Sequence, residues 1–472
     1  MSKYVLNNVA LRTWWLVPRA LITDIRGEHR GIRSLSREAF EQLKKCDGLC
    51  DLEETQLTRS LLEKQWIRPA KEGETTDPYL LHRSYDNRYV LNMGINITER
   101  CNFNCLHCYE AVDNEILREE MSLENCRKLL EEAASCGIQN IKITGGEPLM
   151  HPDFMEIVRC VYQNDMTVDR INTNGFFLTP ELLDELRSLD PHILFNISYD
   201  GAGYHDWMRG RKGAEDDLLK KIRLLVDKGF QVRAAMTLNR VNRDAAAQTM
   251  NRMEELGVQE FRIIRTSETP RWVLNAGDAC MTMEEYYDCA LELCREYASS
   301  EHRMNLNIWH FVKVFSGIKR YAMAPVLCAR EDYRPDMVIC GNARDNLTIT
   351  PGGGVYPCTP SPGLYKSFGM EFGNVFETGL KRILQDGPYL SFVCKGVHAI
   401  AEHDTKCGSC PYFRQCMGGC RLFALALNGD VMSHDPTKCI FYEKQYYNRL
   451  RDALPGYSCV NEVKEEVYGS GK

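Results

Sequence analysis

Three thiols dominate the chemistry open to this chain. Cys101, Cys105 and Cys108 fall within eight residues, in Cys101-Asn-Phe-Asn-Cys105-Leu-His-Cys108-Tyr109. That spacing on a loop aims three sulfurs at one small volume, as a metal or an iron–sulfur cluster requires. Structural zinc sites and ordinary ferredoxin-type clusters take four ligands. A three-thiolate site therefore leaves one metal position open for chemistry. A second group lies far downstream: Cys340, Cys358, Cys407-x2-Cys410-x5-Cys416-x3-Cys420 and Cys439. Cys-x2-Cys pairs suit zinc as well as clusters, so a pair of zinc knuckles competes at this point.

The elements that must hold these loops are legible as an alternation. Strands are predicted at Leu91–Ile97, Asn140–Thr144, Thr167–Thr173, Ile193–Tyr199, Gln231–Leu238 and Glu260–Arg265. Between them run the helical patterns Leu123–Ser135, Pro152–Tyr162, Pro180–Leu189, Asp216–Lys228 and Arg243–Leu256, with Met283–Tyr297 after the last strand. Six successive β/α units predict a parallel sheet with function at the loops after the strands. The cysteine loop follows the first strand, Gly145-Gly146-Glu147-Pro148 the second, Asn174-Gly175 the third and Asp200-Gly201 the fourth. All four loops fall at one end of the sheet. Farther on, Leu347–Pro357 reads as a hairpin around Pro-Gly-Gly-Gly.

Composition narrows the class. The 472 residues predict two or three domains, and 44% hydrophobic with 26% charged residues is ordinary for a globular chain. A net charge of −7 argues against a nucleic-acid partner held through phosphates. No apolar run reaches bilayer length and no signal peptide is evident, so neither a membrane partner nor export is expected, and the cytoplasm is the expected location. There, 21 cysteines point to metal ligands rather than disulfides.

Residues 1–72 read as a separate unit. Two β segments, Val9–Val17 and Ala20–Ile25, join at Pro18. A helix from Ser36 to Lys45 ends at Cys46-Asp-Gly48, a second spans Glu53–Gln65, and Trp66-Ile67 starts a closing strand. This winged helix-turn-helix-like pattern resembles the leader-peptide recognition domain of enzymes that modify ribosomally made peptides, which implies capture of a peptide by β-addition. Residues 73–88 read as a linker, 89–300 as the β/α unit, 301–323 as a bridge, 324–460 as the distal cysteine domain and 461–472 as a tail, disordered from Lys464.

Cys101-x3-Cys105-x2-Cys108 with Gly-Gly-Glu-Pro in register is similar to the radical S-adenosylmethionine (SAM) superfamily. The fold class implied is α/β, a partial (β/α)6 TIM-like barrel with the winged N-terminal domain and a C-terminal cysteine-rich SPASM domain. The resemblance implies that the three cysteines hold a [4Fe–4S] cluster whose fourth iron binds SAM. Gly145, Gly146, Glu147 and Pro148 would meet the methionine part, Tyr109 the adenine, and Ser198 would be a further SAM contact. The bland reading of Glu147 is a helix-capping carboxylate, and that of Ser198 a turn residue.

The distal cysteines resemble the seven-cysteine SPASM extension, and Gly353, five residues before Cys358, fits its pattern too. Two more [4Fe–4S] clusters are then implied: an outer one on Cys407, Cys410, Cys416 and Cys439, and an inner one on Cys340, Cys358 and Cys420. Cys328 is the candidate fourth ligand of the inner cluster, the alternatives being an open iron and an ordinary buried thiol.

The function implied is hydrogen abstraction from a ribosomally made precursor peptide by a 5′-deoxyadenosyl radical, forming a thioether or other intramolecular crosslink. The partners are that peptide, its leader on residues 1–72, and a reductant such as flavodoxin or ferredoxin. Carbon–carbon crosslinking, epimerisation, a sulfatase-activating enzyme and a zinc-bound peptide adaptor are the alternatives. No catalytic side chain is assigned. Arg209-Gly-Arg-Lys-Gly213 reads as a solvated basic loop, the alternative being a contact with the SAM carboxylate or an acidic peptide, Thr266–Trp272 as a loop that lines the opening or simply packs, and His107 as a filler. The ten other cysteines need no special role, although epimerases of this superfamily use a free thiol as hydrogen donor.

Overall fold

A computed structural model of the chain describes residues 2–14, 17–24, 31–108 and 119–463. Tyr109 and the tail from Lys464 lie outside them. Six parallel strands stand side by side in chain order: Asn92–Asn96, Asn140–Thr144, Thr167–Thr173, Leu194–Ser198, Gln231–Leu238 and Glu260–Arg265. The helices between them begin where the sequence supplies caps. Ser122 accepts from Asn125 N–H ahead of Leu123–Ser135, Thr179 precedes Pro180 at the first turn of Pro180–Leu189, and Thr282 with Glu285 forms a reciprocal capping box on Met283–Ala298. Ile141, Ile143, Phe195, Ile197, Val232, Phe261 and Ile263 are fully buried in the core these helices share with the sheet. Strand geometry sends the alternate residues to the opposite, inner face of the partial barrel. Most of those residues are polar, Leu194, Ala235 and Ile264 being exceptions.

The sheet extends beyond the six predicted strands. Asn305–Ile308 adds a seventh parallel strand, and Val312–Phe315 and Arg320–Met323 continue it antiparallel. Residues 301–323, expected as a bridge, thus cover one edge. At the other edge Asn346–Ile349 pairs parallel with Asn92–Asn96, and Val355–Tyr356 folds back on it as the predicted hairpin. Four-residue strands are too short for an alternating period to announce them.

The N-terminal unit corrects several boundaries. Val9–Trp14 and Val17–Asp24 pair antiparallel, so Pro18 lies within the second strand and not at the junction. Arg37–Lys44 is capped by Ser36 as expected. The second helix is shorter, Gln56–Glu63 with a capping box at Thr55. A strand at Ser2–Leu6, which the sequence did not announce, lies between Asp47–Leu52 and Ile67–Pro69. Asp47–Leu52 stands where the turn after the first helix was expected.

Residues 73–88 are no tether. Arg83–Tyr85 pairs parallel with Val9–Trp14. Arg12, 1% exposed, donates to the carbonyls of Tyr79 (2.6 Å) and Leu81 (2.9 Å). Trp14 donates its indole N–H to the Cys136 carbonyl at the end of the first barrel helix (3.1 Å) and packs on Tyr85 and Tyr89. Gly137 beside it has φ +80°, and a Cβ there would stand 2.6–2.8 Å from the Tyr85 and Trp14 rings. The N-terminal unit is docked on the barrel through a buried aromatic joint.

Trp14→Ala should cost the joint about 3–5 kcal/mol, the range for a fully buried large aromatic, and open residues 73–88 to limited proteolysis. An unchanged digestion pattern would show that the joint does not hold the unit.

Candidate functional site

The four loops singled out from the sequence lie together at the C-terminal ends of the parallel strands. Their contact is intimate. Gly146 N–H donates to Thr98 O (2.7 Å) and Glu147 N–H to Arg100 O (2.8 Å). A Cβ on Gly145 would stand 2.5 Å from Thr98 O, and one on Gly146 equally close to Glu99 O and Arg100 O. Real Cβ atoms do not come so near, so the pair of glycines lets the strand leading into Cys101 lie directly on the second loop.

Glu147 is fully buried. Its carboxylate accepts from the Thr173 hydroxyl (2.7 Å), Asn174 N–H (2.7 Å) and Leu149 N–H (3.1 Å). The last of these is the capping role, on the short turn Pro148–Met150. Three donors leave about one of its four acceptor sites free. Asn174 in turn donates to Asn102 Oδ1 (2.8 Å) and points the same amide at Cys101 Sγ (4.0 Å). Glu147 thereby braces the cysteine loop from below.

Arg209 is not part of a solvated loop. It is 6% exposed, its Nε lies 2.6 Å from Asp200 Oδ2, and it donates through Nη1 to Cys105 Sγ (3.4 Å). Burial, the largest single influence, pushes the Asp200 carboxyl up, but Arg209 together with His107, His205 and the Thr237 N–H outweighs it and holds the group below its ordinary range. The helix His205–Arg209 puts His205 and Arg209 four residues apart on one face, against Asp200. That spacing was the overlooked signal.

Arg271, 2% exposed, donates to Cys105 O (2.8 Å) and to Asn104 Oδ1; the expected loop 266–272 turns at Thr269 into the helix Pro270–Ala276, and this helix also supports the cysteines. Glu268 pairs with Arg265 (2.8 Å). Burial pushes His107 down to about 4, which makes it a neutral group beside Asp200 and Arg209.

The distal thiols form two groups. Burial raises Cys358 to about 12, and Cys420 and Cys340 are the thiols that add to it; Cys420 likewise feels Cys340. Separately, Cys407 is raised to about 12 by burial and feels Cys439 and Cys410, while Cys416 feels Cys439 and Cys407. Cys328 joins neither: its neighbours are Met337 Sδ (3.9 Å) and Ala329 O, and the charges it feels are Asp332, Arg334 and Glu331.

Among the described residues no three His, Cys, Asp or Glu side chains converge as the ligands of one ion would. A cubane asks for less, since each thiolate takes a different iron. Thiols held neutral by burial also suit a site whose metal supplies the compensating charge. The two groups fit clusters. Ser198 ends its strand half-buried on the inner face with Asn196, and Pro148 is buried at the start of its turn.

Burial pushes Glu147 up to about 7. Its native form then holds a proton that the unfolded chain releases near pH 4.5. The associated stability is complete below that value and lost as pH rises through about 7, on the order of 3 kcal/mol. Thermal midpoints should therefore fall from about pH 5 to 8 in the unliganded protein, and less so in Glu147→Gln. Parallel curves would contradict the assignment.

The radical SAM superfamily profile matches residues 95–253, and that of SPASM, an iron–sulfur cluster-binding domain, residues 340–411. The chain is 28% identical over 340 residues to the antilisterial bacteriocin subtilosin biosynthesis protein AlbA of Bacillus subtilis, covering 72% of this chain and 68% of that one. It is 27% identical over 352 residues to the AdoMet-dependent heme synthase of Methanosarcina barkeri, covering 73% and 95%. Among solved structures, Streptococcus suis SuiB bound to its precursor peptide SuiA superposes with a TM-score of 0.66 at 14% identity, covering 92% and 99%. That likeness extends the shared fold across the N-terminal unit. The chain carries a radical SAM domain and a SPASM domain, which make it an enzyme whose cofactors are SAM and iron–sulfur clusters.

Proposed function

We propose that this enzyme matures a ribosomally made precursor peptide by forming a thioether or other intramolecular crosslink. The observation that carries the reading is the leader-recognition-like unit, docked on the barrel whose strand ends bear the cysteine loop. Relatives named for subtilosin biosynthesis, sporulation killing factor maturation and PqqA peptide cyclisation support a peptide substrate. The heme synthase alignment leaves over a quarter of this chain without a counterpart while consuming almost all of the synthase, which favours an added substrate-capture function here. Residues 1–72 take the leader and present the following segment to the barrel. A reductant such as flavodoxin or ferredoxin serves the clusters.

In this reading Cys101, Cys105 and Cys108 hold the cluster that binds SAM, which supplies a 5′-deoxyadenosyl radical to remove a substrate hydrogen. Cys407, Cys410, Cys416 and Cys439 hold the outer auxiliary cluster, and Cys340, Cys358 and Cys420 the inner one. The inner trio lacks a fourth thiol at Cys328 as that residue stands, so Cys328 completes it only if residues 328–340 rearrange. Glu147 offers its remaining acceptor site to the SAM ammonium. Gly145 and Gly146 keep the two loops in contact, Pro148 fixes the turn that follows, and Ser198 and Tyr109 are further SAM contacts. Arg209, locked by Asp200, places a positive charge on the Cys105 sulfur.

Two measurements test this account. Co-expression with a candidate precursor peptide, followed by intact mass, should give a peptide lighter by two hydrogens; an unchanged mass with deuterium uptake in D2O would mean epimerisation instead. A donor removed from a cluster sulfur lowers the reduction potential. Arg209→Gln should therefore cut the reduced fraction of the SAM-binding cluster about tenfold at fixed potential, about 59 mV for one electron. An unmoved potential would remove Arg209 from that role.

A further inference from the structure

The inner face of the barrel is cationic. Lys142, Arg170, Arg233 and Arg262 occupy inward positions on four of the parallel strands, and Lys313 lies on the first antiparallel one. They share one space: Lys142 feels Arg170 and Arg233, and Arg262 feels both of those. Two carboxylates face these five cations among the described contacts. Glu260 is already engaged, with Arg233 Nε at 2.7 Å, Lys313 Nζ at 3.0 Å and the Asn307 amide at 2.8 Å. Asp169 lies 3.6 Å from Arg170 and is 42% exposed.

Among the described contacts neither Lys142 nor Arg262 is ion-paired, and Asp169 and Glu260 act on them only through space. Lys142 donates to the neutral Asn346 Oδ1 (2.6 Å), and Arg262 lies over the Trp309 ring, 5.3 Å from its centroid. Arg170 Nε and Arg262 Nε are buried and unpartnered among the described residues. Burial, and then the other cations, lowers both Lys142, to about 8, and Arg262, to about 10. Like charges gathered in a half-buried space cost stability unless an anion joins them.

We propose that this cationic floor binds a carboxylate of the substrate. Resting on the peptide reading above, that carboxylate is an aspartate or glutamate side chain next to the residue that loses hydrogen. SAM has a carboxylate of its own, but the depth of the cations separates the two sources. The cysteine loop, Gly145–Pro148 and Asn174 all lie past the strand ends. Lys142 precedes the end of its strand by two residues, Arg170 and Arg262 by three, and Arg233 by five. At about 3.3 Å per residue they lie roughly 7–16 Å below that rim. An acidic side chain anchored there would leave its neighbour near the rim.

The test uses the cluster-reconstituted, full-length enzyme with SAM bound. Equilibrium binding is measured for Ala-Ala-Glu-Ala-Ala, for its glutamine counterpart and for glutarate. The glutamate peptide should bind at least tenfold more tightly than the glutamine peptide. Arg262→Gln and Arg170→Gln should erase that difference and Arg170→Lys preserve it, with SAM affinity unchanged throughout. Equal affinities, or no binding of any probe, overturn the proposal. So does a fall in SAM affinity that parallels the loss, which would give the cations to SAM. Glutarate bound through the same arginines with neither peptide bound would uphold the carboxylate site and contradict the peptide reading. Iron content and SAM binding of the same samples report separately on the cofactor assignment.

Discussion

The contact of two backbones, residues 98–100 against Gly145-Gly146, is the constraint on which the site depends. No side chain fits between them, and each segment satisfies the other's peptide groups. A cysteine loop has no fold of its own, and its position is inherited from that contact. Glu147 then extends the brace through Thr173 and Asn174 to the third strand, while Asp200, Arg209 and Arg271 close it from the far side. Four strands and two later helices thus hold one short loop in place.

Charge is distributed in two layers around this loop. At the rim a buried ion pair presents one guanidinium to a sulfur. Below it, a floor of cations exceeds the carboxylates that face it. A buried pair such as Asp200–Arg209 contributes little net stability once desolvation is counted, and its value lies in orientation. The unbalanced floor is costlier. Such imbalance is retained where a ligand completes it, which connects the interior of the barrel to the choice of substrate.

Much of this was legible in the residues. The six parallel strands alternate apolar and polar positions, and helix starts at Ser122, Thr179 and Thr282 carry their own caps, so period and punctuation agreed. Among the distal thiols, Cys358 feels Cys420 and Cys340, and Cys407 feels Cys439 and Cys410, whereas Cys328 faces Met337 Sδ and Ala329 O, neighbours that no linear count could reveal. The hairpin at 347–357 was legible, but its pairing with the first strand and the short strand at 305–308 were hidden, because partners distant in sequence make them. Residues 73–88 read as a linker because they are polar, charged and interrupted by Pro78, yet Arg12 and Trp14 fold them against the barrel. Arg209 was misread for a related reason: its loop is basic in composition, and only the fold supplies Asp200.

The central claim is that ten of the candidate cysteines, Cys328 excepted, hold three separate clusters, with the one on Cys101, Cys105 and Cys108 alone binding SAM. Iron and sulfide counts with Mössbauer spectra on anaerobically reconstituted protein test it most directly, comparing the wild type with a variant in which those three cysteines are alanine. The account predicts about twelve irons falling to about eight, at four per cubane, with SAM binding abolished and the remaining cubane signals intact. Loss of all iron in the variant, or a wild type that takes up zinc in its place, would contradict it.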